Sequence, residues 1–427
     1  RIEQHNQRID AVLLIGGDGV VPFHRLQNPS QDADKAIYSD NPYGSDGGSE
    51  HVPDHVVARI PDGGADGGEL LLALLQRSID YHEGWLVTHG PDSGMAIPML
   101  RRLVANARAK APVAGWGASA DAWREPSEEI YSELGSQQPL LYYPPDPGDL
   151  RIAPADVDWS SGRILYFNLH GLPGGPNWYG QISGAAPDEP LPVALTPPDV
   201  DELNPGTICV TEACYGAEIM GRSPGDAMAL RFLERGSLAF VGCTATAYGA
   251  IRLPLGGADI LVQQIFQNLR RGQPIGRAML LARDWMARIT LEQQGYLDPD
   301  DAKTLLSFVL LGDPWASPYV KPATESKIEL PAITPVVATR MPVGATAVTP
   351  ATLDIARKLV AKLAPQFGRA TFVAAGQGRP DRAPKGAGGT LVFSAATDLA
   401  TRDGRRGPQI ARITIAHGIA KKVLLSR

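Results

Sequence analysis

Two stretches of this sequence end in side chains able to do covalent chemistry at an acyl carbon: RILYFNLHG at 163–171 and TICVTEACYG at 207–216. Each is a run of β-branched, aromatic and aliphatic residues that reads as a buried strand and breaks at a glycine. The side chains left at the ends are His170 and Cys214. In an open parallel sheet, neighbouring strands deliver their carboxyl ends to one edge, where ligand crevices form. An imidazole and a thiol placed there would face each other across a bound peptide. The thiolate is the nucleophile, and a nearby imidazolium lowers the thiol pKa while offering a proton to the departing amine. Gly171, lacking a Cβ, lets the backbone approach a substrate carbonyl. Its N–H and that of Cys214 would form an oxyanion hole. The same residue types also suit a buried core thiol and a strand-end histidine that satisfies a backbone group.

Several further pieces stand in a fixed order around this pair. They are AVLLIGGDGVVP at 11–22, YSDNPYG at 38–44 and DHVVARIP at 54–61, then LYFNLHG with Trp178 and Gly180 downstream. VTEACYG, SLAFVGCTATAYG at 237–249 and FVLLGDP at 308–314 complete the series. With these pieces the chain resembles the gingipain-like cysteine peptidases, relatives of the caspases, over roughly residues 11–320. The resemblance implies a caspase-like α/β domain over residues 1–320, a mostly parallel sheet flanked by helices, and cysteine endopeptidase activity on a protein or peptide substrate. It puts the catalytic histidine on His170, the nucleophile on Cys214, and the segment from Cys243 along the substrate channel. In arginine-specific members an acidic residue before a helix lines the primary pocket. The matching place here is near Ala96, with Asp92 the closest carboxylate, so a preference for Arg or Lys does not carry over.

Other residues near the pair have two readings each. Trp178 is either a pocket wall or a loop anchor. Glu212, two residues before Cys214 on the same strand face, either orients the dyad or binds substrate, or is a buried carboxylate paired with an arginine. Cys243 is a strand core residue or a channel residue; Thr244, Thr246 and Tyr248 leave its strand as candidate substrate contacts. Cys209 reads as core, and with only three cysteines a disulfide scaffold is excluded. His89 ends another His-Gly strand, WLVTHG, but no cysteine strand follows it directly.

No cofactor is expected. The cluster GDGVVP lacks both the Gly-Lys-Ser/Thr ending of a phosphate loop and the dinucleotide spacing. Asp32, Asp34, Asp40 and Asp46 lie on a turn-rich loop that would hold a structural calcium, which some gingipain-like enzymes carry, or would simply be solvated. His51 and His55 flank Pro53, which breaks the helix that would align them on zinc.

The elements that must position these groups alternate strand and helix. Helical patterns fall at 69–83, 95–110, 223–236, 257–271, 274–289 and 300–311, the last ending at Gly312-Asp313-Pro314. Residues 321–350 hold five prolines and read as a linker. Residues 351–427, with one helix and three or four strands, read as a small α+β module or an addition to the main sheet. That part carries 14 Lys+Arg against 4 Asp+Glu, whereas residues 1–350 carry 26 against 42, within an overall net charge of −6. Opposite charge on one chain points to the module docking on the acidic part, with a polyanion or membrane surface as the other reading.

With 44% hydrophobic and 20% charged residues the composition is that of an ordinary globular protein, and no apolar run approaches the ~20 residues of a membrane span. The chain opens at Arg1 and runs almost at once into a core strand, so a preceding segment is expected. That favours a cytoplasmic setting only weakly and leaves secretion open. Two further readings keep the fold and change the function: an inactive scaffold or binding protein, and a defence or signalling protease switched on by a regulatory partner.

Overall fold

The computed structural model describes residues 9–30, 32–64, 68–83, 115–134, 140–142, 163–186, 188–318, 349–375, 390–416 and 418–427. Along the chain the strands are β1 Ala11–Ile15, β2 His24–Leu26, β3 Ile37–Ser39, β4 Val56–Ile60, β5 Gly115–Ser119, β6 Leu140–Tyr142, β7 Ile164–Asn168, β8 His170–Gly171 and β9 Trp178–Tyr179. They continue as β10 Val193–Leu195, β11 Ile208–Thr211, β12 Ala239–Cys243, β13 Tyr248–Ala250, β14 Phe308–Gly312, β15 Phe372–Ala375, β16 Thr390–Ala400, β17 Arg406–Ala416 and β18 Ile419–Ser426. The helices are α1 Gly68–His82, α2 Arg124–Ser132, α3 Met228–Glu234, α4 Ala258–Arg270, α5 Ile275–Gln294, α6 Pro299–Ser307 and α7 Pro350–Leu363.

The main sheet has eight strands in the order β1-β4-β14-β12-β11-β7-β5-β6. Every neighbouring pair is parallel except β12–β14. That one reversal divides the sheet into two blocks running in opposite directions. Strands β7, β11 and β12 therefore end together at one edge, as the α/β reading requires.

Side chains alternate between the two faces. Ile208 and Val210 point to a core shared with Leu261, Ile265 and Phe266 of α4 and Met279 and Met286 of α5. Cys209, between them, faces the opposite core with Leu74 of α1 and Leu230, Phe232 and Leu233 of α3. Burial on both faces explains why these strands read as unbroken apolar runs.

Two expected helices come out differently. The pattern at 300–311 breaks at Ser307, and Phe308–Gly312 is instead strand β14, antiparallel to β12. A short apolar run fits either a helix or a fully buried strand, and here the place between β12 and β4 decides. The helix expected from Ser223 begins at Met228. The capping chemistry is spent on a turn, in which the Asp226 carboxylate accepts from the Ser223 N–H and hydroxyl at 2.6 and 3.0 Å. The expected strand at 85–90 with His89, the helix at 95–110 with Asp92 and Ala96, and nearly all of the 321–350 linker lie outside the described residues.

The C-terminal part forms an antiparallel sheet, β13-β18-β17-β16-β15, backed by α7. It is not self-contained: its edge strand β13 comes from residues 248–250, just beyond β12. Lys422 lies 2.9 Å from Asp298 and 2.7 Å from Asp301, and Arg412 lies 3.5 Å from Asp300, at the start of α6. At its far end the β16–β17 hairpin tip meets the loop after His170. There Tyr179 and Asn177 each donate to Asp403 at 3.0 Å, and Leu191 N–H donates to Ala400 at 2.8 Å. Among the described residues no helix is long and apolar enough to cross a membrane.

Candidate active site

The register of β7 against β11 pairs Tyr166 with Val210 and Phe167 with Thr211, so the two chains leave the sheet side by side. Glu212 N–H still donates to Phe167 at 2.9 Å, and the segments then converge. Gly171 and Cys214 end in direct backbone contact: a Cβ at Gly171 would collide with the Cys214 carbonyl oxygen and sit 3.3 Å from its nitrogen. Glycine is required there by space rather than by φ. Just after the thiol, Tyr215 has φ 57°, a left-handed conformation that costs a non-glycine residue energy. It is held by its N–H to Ala245 at 3.0 Å and its hydroxyl to Asp34 at 2.5 Å. The resulting sharp turn points Cys214 away from the strand's line.

His170 donates from Nε2 to Gln181 Oε1 at 2.9 Å, and its ring stands edge-on to Trp123 at 4.5 Å. Burial lowers its pKa to about 4, and the nearby Arg427 guanidinium adds to the lowering against the hydrogen bond to Gln181. Cys214 Sγ accepts from Ala247 N–H at 3.2 Å and lies 3.5 Å from the Ala247 carbonyl. Burial, with Cys243 beside it, pushes the Cys214 thiol well above its ordinary value. The pair is thus a neutral thiol and a neutral imidazole, whereas the sequence led us to expect an imidazolium activating a thiolate. Both side chains are buried, at 3% and 2% exposure respectively.

The other expected site residues divide. Glu212 is near the dyad but fully buried, accepting from the Tyr166 hydroxyl at 2.6 Å. Burial, reinforced by neighbouring Asp259, raises its pKa well above the carboxylate range, so it is a protonated partner in a buried network with Arg427. Trp178 is no pocket wall: it packs on Phe167 and Phe232 at ring distances of 5.2 and 5.9 Å and anchors the loop after His170. Cys243 is no channel residue either. Its thiol donates toward the carbonyls of Ala213 and Ala245 at 3.1 Å each, and burial raises its pKa to about 12. Thr244 is a tie to Tyr38, whose carbonyl its hydroxyl meets at 2.6 Å. Tyr248 turns its ring inward, donating to Asp32 at 2.6 Å, and offers only its backbone edge to the site. Thr246 braces the turn through the Tyr215 hydroxyl at 3.0 Å.

The loop carboxylates weighed for calcium each meet a basic side chain of the chain. Lys303, buried, pairs with Asp32 at 2.5 Å and with Asp34; Arg59 pairs with Asp40 at 2.6 Å, and His55 with Asp46 at 2.7 Å. Among the described residues no group of three His, Cys, Asp or Glu side chains is arranged to hold a metal. His51 is tied to Ser49 rather than to His55.

Four residues of the site escaped the sequence: Trp123, Gln181, Asp259 and Arg427. They come from a short 3-10 turn at Asp121–Trp123, a loop, a helix start and the residue after β18, and nothing in their local spacing draws them together. Strand β18 lies antiparallel on β13, pairing Leu424 with Ala250, Leu425 with Gly249 and Ser426 with Tyr248. Arg427 follows, donating its N–H to Ala247 at 3.0 Å, the residue that touches Cys214 Sγ. Its guanidinium pairs with Asp259, reaches the Ala250 carbonyl at 3.1 Å and covers the Trp123 ring at 4.3 Å.

The sequence matches no protein-family model, and no curated protein is significantly similar to it. What the fold itself defines is an α/β protein whose mostly parallel sheet brings a cysteine and a histidine-glycine pair together at one edge.

Proposed function

We propose that the chain is a cysteine endopeptidase acting through Cys214 and His170. The observation that carries this reading is the contact between the Gly171 and Cys214 backbones, which sets the imidazole-bearing residue and the thiol-bearing residue side by side. With a peptide along the β13 edge, the Cys214 thiol gives its proton to His170 Nδ1 as Sγ attacks the scissile carbonyl. The N–H groups of Gly171 and Cys214 receive the oxyanion, and His170, held through Nε2 by Gln181, passes a proton to the leaving amine from Nδ1. Water then releases the acyl-enzyme. The neutral, buried state of the dyad favours a second version of the same reading, a peptidase that is latent until its edge is cleared.

Hydrolysis of a fluorogenic peptide library, run with wild type, Cys214→Ala and Cys209→Ala, tests the reading. Cys214→Ala is expected to lose at least about a thousandfold in kcat/KM, while Cys209→Ala, altered in the core far from the edge, stays within about threefold. Undiminished hydrolysis by Cys214→Ala ends the proposal.

A further inference from the structure

Strand β18 lies where an extended peptide would lie. The main chain of Ala247, just before β13, is in direct contact with Cys214 Sγ, and β18 adds to the β13 edge by antiparallel pairing, as a peptide adds to a sheet edge. In such a pair Ala247 would exchange two hydrogen bonds with the residue opposite. It receives one, from Arg427 N–H at 3.0 Å, but its own N–H goes to Cys214 Sγ at 3.2 Å. The sulfur therefore takes the hydrogen bond that the residue opposite, Arg427, would otherwise accept, and stands at the end of the β13–β18 ladder where a nucleophile for a bound strand is needed.

The Arg427 side chain fills a pocket formed by four different parts of the chain. Its floor is Gly249, where a Cβ would collide with the guanidinium. One wall is the Trp123 ring, which also touches His170. The base is the Asp259 carboxylate, fixed by the N–H of Ala250 at 2.6 Å, with Glu212 behind it. This is a binding site for a planar cation: an aromatic face, a carboxylate and a glycine that leaves room for the side chain. Arg427 Nε and Nη1 find no partner in it, an arrangement that adds little to stability.

Resting on the peptidase reading above, we infer that β18 and Arg427 are an inhibitory substrate mimic in cis, and that Asp259 and Trp123 make arginine the residue preferred before the scissile bond. The hairpin tip on the loop after His170 fastens the second side of the same edge. Release of β18 clears the groove, exposes Cys214 and removes a cation from beside His170.

The test uses the full chain and two readouts: alkylation of Cys214 by iodoacetamide, followed by mass spectrometry against Cys209 as internal reference, and hydrolysis of peptides with Arg, Lys, Ala or Asp before the scissile bond. Arg427→Ala is expected to alkylate Cys214 at least about tenfold faster than wild type, and methylguanidinium, refilling the pocket, to slow it again. Arg427→Lys, which keeps a cation and the fold, should fall between the two. Arg427→Ala should also cleave the Arg peptide at least about tenfold better than the Ala peptide, a preference lost on adding Asp259→Asn. Equal alkylation in wild type and both Arg427 variants, or cleavage indifferent to the residue before the bond, overturns the inference. A gain in alkylation without hydrolysis of any peptide upholds the inhibitory strand and ends the peptidase reading instead.

Discussion

Two of the ionic joints that fasten the C-terminal sheet to the main body differ in kind. At the first, the Lys422 ammonium lies between Asp298 and Asp301 at 2.9 and 2.7 Å. Asp298 is also the N-cap of α6, accepting from the N–H groups of Asp300 and Asp301 at 3.0 Å each. Three carboxylates crowd one helix start, and Lys422 is what makes their proximity tolerable. At the second joint one carboxylate, Asp259, meets one guanidinium, with two of the guanidinium's donor groups unpaired. Its neighbour Glu212 is held protonated. The first joint is a fastening; the second is a pocket with something in it. Burial alone does not distinguish them, since both sets of carboxylates are almost inaccessible. What distinguishes Lys422 from Arg427 is how completely each cation's donors are used, with Arg412 at the margin of the first joint also keeping Nε and Nη2 without a hydrogen bond.

The comparison is most exposed to Lys422→Met. That change leaves Asp298, Asp300 and Asp301 buried together, with Arg412 the remaining cation beside them at 3.5 Å from Asp300. Breaking one side of such a buried cluster costs about 3–5 kcal/mol, to be read from urea unfolding. A loss below about 1 kcal/mol would mean that the helix N-terminus alone holds these carboxylates and that the two joints do not differ.

That the charges of the last part would meet the acidic part was legible in composition; which charges meet was not. Lys422 and Asp298 are brought together only by strand pairing across more than a hundred residues. The same division runs through the site. That His170, Gly171 and Cys214 would meet at one sheet edge was readable because each sits at the end of an apolar run, and such runs identify strands locally. Trp178 and Cys243 each kept two readings, core and contact, because a residue at the end of a strand can face either layer of the sheet, and the sequence does not say which. The reversal of β14 was hidden for a related reason, a five-residue apolar run that fits two periods. Asp259 and Trp123 carry no local signal at all: an acid in the first turn of a helix and an aromatic before one are ordinary features, and only the pocket between them gives them a role.

A pH dependence separates the two joints next. In the folded chain His170 titrates near 4, whereas an unfolded imidazole titrates near about 6.5. As pH falls through that interval the unfolded chain takes up the extra proton first, so folding stability drops with falling pH. Between about pH 7 and pH 4 wild type should lose about 2–3 kcal/mol more than His170→Phe, which has no imidazole to protonate. The carboxyls around Lys422 titrate alike in both proteins and cancel in the difference. Parallel stability curves for the two would show that His170 is not sealed beneath β18. In Arg427→Met, where the guanidinium no longer opposes imidazolium, the extra loss should shrink.

Arg427→Met itself should cost less than Lys422→Met, about 1–2 kcal/mol. The methionine keeps the stem on the Trp123 ring, and the Asp259 carboxylate keeps the N–H of Ala250 at 2.6 Å and its place in the first turn of α4. A cost equal to that of Lys422→Met, measured in the same urea series, would make both joints fastenings.

The smallest change tests the pocket without touching a charge. A methyl group added at Gly249 points straight into the Arg427 guanidinium, which is held from the other side by Trp123 and Asp259. Leu425 pairs with Gly249 through the backbone, so β18 itself need not leave when the side chain does. Gly249→Ala should therefore expel the guanidinium at a cost of about 1 kcal/mol or less, because a strand glycine replaced by alanine recovers part of the strain by ordering the unfolded chain. Unfolding midpoints measure the cost, and the alkylation rate of Cys214 measures the opening. If Gly249→Ala is as unstable as Lys422→Met, the guanidinium cannot move independently of the sheet. Arg427 would then be part of the fastening, and the difference between the joints would be one of degree. If stability holds while Cys214 becomes reactive, the side chain is a separable occupant, as a pocket built around a planar cation would have it.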